Sequence, residues 1–216
     1  NNPLGIMLAH AQDLQERLPE EGQALVESGE LQEYLDIIVR QTKRCKEITG
    51  NLLNFAGYRQ GNGARVELGE ALAGTLKLLE FRLRKQGIRL ELSLPEDMPR
   101  LAVPKGETQQ VFLNILTNAM DAMPHGGKLS IAGAVAGREL VLALADEGVG
   151  MKPEELRRMF DPFYTTKAPG QGTGLGLPIS YSIMQRLGGK IRVESTFGQG
   201  TTVYLHFPLP GEGQDE

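Results

Sequence analysis

The stretch Gly170-Gln-Gly-Thr-Gly-Leu-Gly-Leu177 places four glycines at alternate positions and leads into an apolar segment that ends at Met184. Glycine reaches positive φ angles without a steric penalty, so such a run can turn several backbone N–H groups toward one point. A nest of this kind binds anions, and the positive N-terminal end of a following helix adds to the same field. The run alone also fits a flexible loop, so its interpretation depends on the segments before it.

The segment Gln110–Met123 has the apolar spacing of a helix. Asn114 and Asn118 are four residues apart in it and therefore share one face. Asparagine is a poor interior helix residue, because its amide competes for the backbone. Its carbonyl oxygen suits Mg²⁺, which prefers hard oxygen ligands and keeps phosphates or waters in its other positions. The pair is therefore either a magnesium site or two satisfied, partly buried amides.

An apolar run of strand length, Leu140–Ala145, ends at Asp146 and is followed by Gly148 and Gly150. A carboxylate at a strand end, beside glycines that admit a flat ligand, can accept a hydrogen bond from an exocyclic amine. Such a charge-assisted bond contributes roughly 1.5–3 kcal/mol. The alternative is an ordinary turn, in which Asp and Gly are common.

In chain order, the patterns Asn-x-x-x-Asn-Ala, Asp-x-Gly-x-Gly and Gly-x-Gly-x-Gly-x-Gly resemble the ATP-binding domain of sensor histidine kinases. That fold is shared with gyrase-type ATPases, MutL-type repair proteins and certain heat-shock chaperones. Phe160-Asp-Pro-Phe-Tyr-Thr-Thr-Lys167 resembles the phenylalanine box that opens the kinase ATP lid, and its Phe-Tyr-Thr-Thr-Lys form resembles the nitrogen-regulation-type branch. Residues 187–208 resemble the closing hairpin, so the resemblance covers residues 65–210.

The first residues, Asn1-Asn-Pro-Leu-Gly-Ile-Met-Leu8, resemble the end of a phosphoacceptor box, commonly written His-Glu-x-(Arg/Asn)-Asn-Pro-Leu. On that pattern the phosphoacceptor histidine would lie three residues before Asn1. We therefore expect that residues 1–216 alone do not autophosphorylate. The three histidines present do not replace it: His10 is expected on a helix surface, His125 in a Pro-His-Gly-Gly turn and His206 in the last strand.

Residues 3–18 and 30–58 are predicted to form a helical hairpin, joined by a segment with turn and breaker residues at both ends. Its apolar positions alternate in steps of three and four, as in a coiled coil. One hairpin cannot bury both stripes, whereas two copies forming a four-helix bundle can, so a homodimer is expected. The alternative is an intramolecular hairpin packed on the ATP-binding domain. The predicted seam is Leu4, Met7, Ala11, Leu14 and Leu18, then Leu31, Leu35, Ile38, Thr42, Cys45, Thr49, Leu52 and Ala56.

The predicted fold class is α+β, with a helical hairpin followed by an α/β sandwich of the histidine kinase and gyrase type. The predicted domains are the hairpin over residues 1–59, a linker at 60–64, the ATP-binding domain over 65–210 and a disordered tail at 211–216. Predicted strands cover residues 65–68, 88–94, 100–103, 128–135, 139–146, 190–196 and 201–208. Predicted helices of this domain cover residues 69–86, 105–123, 153–159 and 176–188.

Composition narrows the functional classes. The net charge is −4 with both signs well mixed, so there is no basic patch that would favour nucleic acid. A single cysteine, Cys45, allows no disulfide within the chain, which fits a reducing cytosol. No apolar run approaches the ~20 residues of a membrane helix, so we expect a cytoplasmic protein whose membrane attachment, if any, lies upstream.

The resemblance implies roles for the conspicuous residues. Asp146 would accept from the adenine amino group, Gly148 and Gly150 would leave room for the ring, and Asn118 would bind Mg²⁺ with help from Asn114. Phe160 and Phe163 would anchor the lid by apolar packing, and Lys167 would either meet the γ-phosphate or be a solvated surface lysine. The expected ATP-contacting residues are Asn114, Asn118, Asp121, Asp146, Gly148, Gly150, Phe160, Phe163, Thr165, Thr166, Lys167, Gly172, Thr173, Gly174, Leu175, Gly176, Leu177 and Thr201.

Asn2 falls four residues after the inferred phosphoacceptor, on the same helical face. In this family that position resembles the one whose polar side chain orients water for dephosphorylating the response regulator, and the alternative is a helix cap. The sequence also departs from the family pattern. Where kinases often carry an acidic residue and an arginine before the asparagine helix, this chain has Lys105-Gly-Glu-Thr108, so no contact is carried over there.

The resemblance implies the core of a two-component sensor histidine kinase. Such a core binds Mg²⁺ and ATP and transfers the γ-phosphate to a histidine and then to an aspartate of a response regulator receiver domain. Two alternatives remain: another ATPase of the same superfamily, and a non-catalytic ATP-binding dimerisation module. The heptad hairpin and the Asn-Asn-Pro-Leu start favour the kinase over another ATPase.

Overall fold

A computed structural model describes residues 3–55, 64–95, 97–168 and 172–209, with side chains described throughout except at residues 3, 43–44 and 46–55. The chain divides into two compact units, a helical hairpin and a sheet domain. The predicted tail at 211–216 lies outside the described residues, as does all of the predicted linker except Ala64. None of the described helices is both long and apolar enough to span a membrane.

The hairpin consists of α1 (Pro3–Glu27) and α2 (Glu30–Phe55). The prediction that the first helix ends at Leu18 is wrong, because α1 continues through Pro19 for two more turns. Proline lacks only its own N–H bond to the preceding turn. The residues after Pro19 remain helical because Leu25, one of them, is buried. The chain reverses instead at Ser28 and Gly29, where Gly29 adopts a left-handed φ of 80°.

A polar cluster lies between the two helices. The Tyr34 hydroxyl donates to the Asp13 carboxylate and accepts a bond from Arg17 Nη1 at 3.1 Å. Arg17 also forms an ion pair with Glu30 at 3.0 Å. His10, expected on the helix surface, is half-buried, with its ring edge-on to Tyr34 at 5.6 Å. The hydrogen bond that the Tyr34 hydroxyl donates to Asp13 stabilises the protonated phenol and raises the pKa of Tyr34.

The buried side of α2 differs from the predicted seam. Tyr34 is half-buried between the helices, whereas Leu35 and Thr42, both predicted seam positions, are exposed. Among the hairpin side chains that the structure describes, the large apolar ones exposed in the single chain are Leu4, Ile6, Leu8, Leu18, Val26, Leu35 and Val39. One hairpin therefore leaves a substantial apolar surface in water.

The sheet domain confirms the predicted α/β sandwich. Its elements are β1 (Arg65–Glu67), α3 (Leu68–Lys85), β2 (Ile88–Ser93), β3 (Ala102–Pro104), α4 (Lys105–Ala122), β4 (Gly127–Ala136), β5 (Glu139–Asp146), α5 (Pro153–Arg158), α6 (Gly176–Arg186), β6 (Lys190–Thr196) and β7 (Gly200–Pro208). Five strands form one sheet in the order β2-β4-β5-β7-β6, parallel between β2 and β4 and antiparallel elsewhere. The short strands β1 and β3 pair separately.

One face of this sheet forms the core. Alternate residues of β5 are buried, as are alternate residues of β7, because successive side chains of a strand point to opposite faces. These residues pack against the buried sides of α3, α4 and α6. β5 is the central strand, so its C-terminal residue, Asp146, is held between β4 and β7.

The continuation of α1 through Pro19 leads to a stability prediction. Pro19→Ala should restore the missing backbone hydrogen bond and remove the proline ring clash, raising the free energy of unfolding by up to about 3 kcal/mol. Urea unfolding followed by far-UV circular dichroism measures the change. Pro153→Ala is the matched control, because Pro153 begins α5, where no such bond is lost. A Pro19→Ala protein no more stable than the wild type would mean that α1 ends before Pro19.

Candidate functional site

A half-buried carboxylate marks the end of the central strand. Asp146 is paired in register with Leu129 of β4 and Thr201 of β7. Its Oδ1 accepts the N–H of Gly148 at 2.9 Å, and the backbone N–H of Thr201 also donates to the carboxylate. Burial raises the pKa of Asp146, and the two N–H donors only partly oppose that rise. The ionised carboxylate is therefore under-solvated, which makes it a strong acceptor for an additional donor.

The raised pKa of Asp146 affects the stability of the folded protein. The folded state binds the Asp146 proton more tightly than the unfolded chain does, because the pKa is raised on folding. Ionised Asp146 therefore destabilises the fold, and this cost appears as the pH rises from the ordinary aspartate pKa of about 4 through the raised value. The ligand-free protein carries the whole of this cost once the pH lies above the raised pKa.

The glycines after Asp146 let the loop that follows β5 pack closely against neighbouring backbone. A Cβ at Gly148 would stand 2.6 Å from the Ala122 Cβ, and one at Gly150, where φ is 63°, would stand 2.1 Å from the Thr196 carbonyl oxygen. A Cβ at Gly200 would stand 2.0 Å from the Asp146 carbonyl oxygen. Gly148 and Gly150 were expected to leave room for a ring. In the structure protein atoms occupy the place that a Cβ would take at each of them, so close backbone packing requires both glycines. That they also leave room for a ring stays a prediction.

Ser195 joins the loop after Asp146 to the β6–β7 hairpin, and no sequence pattern predicted this role. Its Oγ accepts the N–H of Met151 at 2.8 Å and lies 3.0 Å from the Gly200 carbonyl oxygen and 2.8 Å from Thr201 Oγ1. The Thr201 hydroxyl thus has a protein partner, while its backbone N–H orients Asp146. A direct contact of Thr201 with a nucleotide stays a prediction.

The face of α4 that carries the asparagines contacts the start of α6. Asn114 Nδ2 donates to the Gly176 carbonyl oxygen at 2.9 Å and to Ser180 Oγ at 3.1 Å. Asn114 Oδ1 accepts from Gln110 Nε2 at 2.9 Å. The structure thus brings Asn114 together with Gly176, and it places Asn118 half-buried one turn further along α4. Gln110 and Ser180 were missed from the sequence, although Gln110 lies four residues before Asn114 and so shares its face.

The first turn of α6 has the character of an anion site. The cap position of this helix is the buried Leu175, and no side chain among the described residues makes a cap hydrogen bond there. The first N–H groups of a helix have no partner within the helix, and its dipole makes that end positive. The nearest atoms to a Cβ at Gly176 would be those of Asn114, at 3.6 Å or more, which is ordinary van der Waals contact. An alanine side chain would therefore fit at Gly176 without overlapping the protein.

Gly174 is different, because the chain requires a glycine there. Its φ is 67°, and a Cβ would stand 2.4 Å from the Phe163 carbonyl carbon. The Phe163 N–H donates to the Gly174 carbonyl oxygen at 3.0 Å. The phenylalanine box and the start of α6 are thus joined through their backbones.

The two phenylalanines of that box behave differently. The Phe160 ring lies 5.1 Å from the Tyr181 ring on α6, which confirms apolar packing for this residue. The same expectation is wrong for Phe163, whose side chain is 61 % exposed and whose φ of 67° is left-handed. Its contact with the site runs through its backbone N–H and not through its ring. A non-glycine residue in this conformation is strained by about 1 kcal/mol.

The remaining predicted site residues divide into three groups. Asp121 forms an ion pair with Arg82 of α3, which ties α4 to its neighbouring helix. Thr165 and Thr166 are exposed in the loop after the phenylalanine box, and Leu177 is half-buried. Lys167, Gly172 and Thr173 lie in the loop between the phenylalanine box and α6, and Asn2 lies outside the described residues. The ligand contacts expected of all these residues stay predictions.

The donor set limits how a metal could bind. Within the ranges that the structure describes, no three His, Cys, Asp or Glu side chains cluster as a metal site. A bound Mg²⁺ would therefore rest on amide oxygen from the protein and on oxygens supplied by a ligand. This fits Mg²⁺, which commonly binds through few protein ligands together with phosphates and waters.

Comparison with known proteins agrees with this geometry. Residues 105–211 match the family model of histidine kinase-, DNA gyrase B- and HSP90-like ATPases. Sporulation kinase E of Bacillus subtilis (strain 168) is 34% identical over 182 residues, which are 84% of this chain and 24% of that protein. Sensor histidine kinase ZraS of Klebsiella oxytoca is 29% identical over 216 residues, 100% of this chain and 45% of that protein.

A solved structure extends the likeness to the hairpin. Histidine kinase ThkA, in complex with response regulator protein TrrA, has a TM-score of 0.71 and 23% identity, and the match covers 99% of this chain and 59% of that one. The chain carries a sensor histidine kinase catalytic core. This kinase core combines the helical hairpin with the ATPase-type sheet domain. It spans between a quarter and about half of the two curated relatives, at 24% and 45% of their lengths.

The two glycines at the start of α6 give a matched pair of variants in the kinase core. Gly174→Ala should lower the free energy of unfolding by at least about 1 kcal/mol, because it forces alanine into a left-handed conformation and against Phe163. Gly176→Ala should leave stability unchanged or raise it by roughly 0.5–1 kcal/mol, since alanine favours a helix. Thermal unfolding of both proteins tests this, and equal destabilisation by the two changes would contradict the assignment.

Proposed function

We propose that the sheet domain binds ATP with Mg²⁺ and that the kinase core transfers the γ-phosphate to a histidine, from which it passes to a response regulator aspartate. The observation that carries the proposal is Asp146, an under-solvated carboxylate at the end of the central strand. The resemblance puts the acceptor histidine three residues before Asn1.

Asp146 supplies the adenine end of the proposed site. Gly148 and Thr201 donate their N–H groups to the carboxylate and fix its orientation, yet burial still disfavours its charge. The exocyclic amine of adenine is a donor that the carboxylate can accept. This bond would offset the cost of burial and contribute roughly 1.5–3 kcal/mol.

The start of α6 supplies the phosphate end. The N–H groups of its first turn, which follows the apolar cap residue Leu175, and the positive helix end together suit a polyphosphate. We propose that Gly172 and Gly174 extend this cradle, that Thr173, Leu175 and Leu177 line it, and that Lys167 meets the γ-phosphate from the lid. Thr165 and Thr166 would flank the lid.

We propose that the Asn118 amide oxygen and the phosphates hold Mg²⁺. Asn118 follows Asn114 by one turn on the face of α4 that meets α6, so its place suits a ligand to a metal on the phosphates. When bound, Mg²⁺ neutralises charge on the transferred phosphoryl group. The protein contributes chiefly by positioning, which is usual for phosphoryl transfer.

The exposed apolar side of the hairpin supports a homodimer. Leu4, Leu8, Leu18 and Leu35 are all exposed in the single chain, and a second hairpin forming a four-helix bundle would cover such a surface. We further propose that this bundle docks a response regulator receiver domain, that Asn2 orients water in its dephosphorylation, and that the protein works in the cytoplasm. The complex of ThkA with TrrA gives the partner class by analogy.

We assign the chain to the nitrogen-regulation-type branch, on the Phe163-Tyr-Thr-Thr-Lys167 sequence. The domain division proposed above, with the hairpin over 1–59, a linker at 60–64 and the ATP-binding domain over 65–210, is retained.

Asp146→Asn tests the nucleotide site. The variant should bind ADP with Mg²⁺ at least about tenfold more weakly in calorimetry, because the charge-assisted acceptor is lost. The same change should raise the unfolding temperature of the ligand-free protein at neutral pH, since it removes a destabilising buried charge. That gain should shrink as the pH falls through the raised pKa and vanish below about pH 4, where Asp146 is protonated in both states.

Glu147→Gln is the matched control, because Glu147 is the exposed neighbour of Asp146 and should alter neither property. Unchanged ADP affinity in Asp146→Asn would remove this carboxylate from the site. A wild-type protein that binds neither ADP nor ATP would overturn the proposed function.

A charged substitution on the exposed apolar surface of the hairpin tests whether the protein is a dimer. Leu35, 43 % exposed on α2, should be covered in the bundle, so Leu35→Glu should convert a dimer to a monomer in sedimentation velocity. Leu78→Glu is the control, because Leu78 is 72 % exposed on α3 of the sheet domain and should leave the dimer intact. A monomeric wild type would instead favour the intramolecular hairpin.

A further inference from the structure

We propose that Gln110, Asn114 and Ser180 form a polar clamp that fixes the first turn of α6 against α4, and that Gln110 and Ser180 are positioning residues for the phosphate end of the nucleotide site. The proposal rests on the nucleotide binding proposed above. It gives functional roles to two residues that were not among the expected contacts.

The clamp is a closed set of hydrogen bonds. Asn114 Nδ2 donates to the Gly176 carbonyl oxygen at 2.9 Å and to Ser180 Oγ at 3.1 Å. Ser180 Oγ in turn donates to the same Gly176 carbonyl oxygen, also at 2.9 Å, within α6. The Asn114 amide group therefore crosses the α4–α6 contact, and the Ser180 hydroxyl closes the set on the α6 side.

The Gly176 carbonyl oxygen, which can only accept, sets which way the Asn114 amide points, and Gln110 supports that orientation. Gln110 Nε2 donates to Asn114 Oδ1 at 2.9 Å, from one turn earlier on α4. If the Asn114 amide were rotated by 180°, its oxygen would face the Gly176 carbonyl oxygen and its NH₂ would face the donor of Gln110. Both contacts would then be repulsive, so the orientation follows from the network.

Ser180 occupies a position where the fold alone favours an apolar residue. Its exposure is 0 %, and the other buried residues of α6 are Pro178, Ile179, Ile183 and Met184. A buried hydroxyl stabilises a protein little beyond its own hydrogen bonds. Thr75, a second buried hydroxyl, bonds only to Ala71 within its own helix, whereas Ser180 links two helices.

The clamp lies at the end of α6 where the phosphates are proposed to bind. The opposite end of α6 is linked to α4 by an ion pair of Arg186 with Glu107, whose closest N–O distance is 3.5 Å. Such a partly exposed pair holds two helices weakly. The clamp therefore sets the distance between the N–H groups of the first α6 turn and the Asn118 side of α4.

The test separates the phosphate end of the site from the adenine end. Ser180→Ala should weaken binding of ADP with Mg²⁺ by roughly tenfold, because one or two hydrogen bonds of the clamp are lost. Adenosine affinity should stay unchanged, since Asp146 is untouched. Calorimetry with each ligand on the whole chain measures both values. Ser182→Ala is the matched control, because Ser182 lies on the same helix and bonds only to the exposed Arg186.

Gln110→Met is the second variant, because methionine keeps the side-chain length of this half-buried glutamine without its donor. It should shift ADP affinity in the same direction, and it keeps the test available if Ser180→Ala does not fold. ADP affinity equal to the wild type in a folded clamp variant would overturn the clamp. Equal losses for ADP and adenosine would overturn it too, because they indicate general loosening. A wild type that binds no ADP would instead overturn the proposed function itself.

Discussion

The close approach of the Gly200 backbone to Asp146 is the constraint on which the rest of the site depends. No side chain fits at Gly200, because its Cβ would stand 2.0 Å from the Asp146 carbonyl oxygen. This approach lets the Thr201 N–H reach the Asp146 carboxylate and sets the β6–β7 hairpin against the loop after β5. The carboxylate is thus held partly out of water by the backbone around it.

The glycines of the site are of two kinds: those that close packing requires and one that it does not. Gly148, Gly150 and Gly174 are needed by the protein, since a Cβ at each would overlap neighbouring protein atoms. Gly176 has no such neighbour within 3.6 Å, so the fold does not explain it. A glycine that the fold does not require, at the uncapped start of a helix, is most simply explained by a ligand that approaches the backbone there.

The sequence predicted most of the sheet domain because its signals are local. Strand alternation in β5 and helical spacing in α4 each depend on a few neighbouring residues, and both elements lie within a residue or two of their predicted bounds. The end of α1 was missed because Pro19 suggests a break, while the burial of Leu25 is a tertiary effect. Ser180 and Ser195 were missed for the same reason, since their partners are distant in sequence.

The ligand-free site is a balance between stability and affinity. Burial of Asp146 and the left-handed backbone of Phe163 both cost folding free energy, and neither contributes to the core. A ligand that donates to Asp146 recovers part of the first cost, and binding then stabilises the folded state by mass action. A more hydrated carboxylate would make a more stable protein but would gain less from an adenine amine, because that amine would first have to displace water. The partial burial of Asp146 therefore gives affinity at the expense of ligand-free stability.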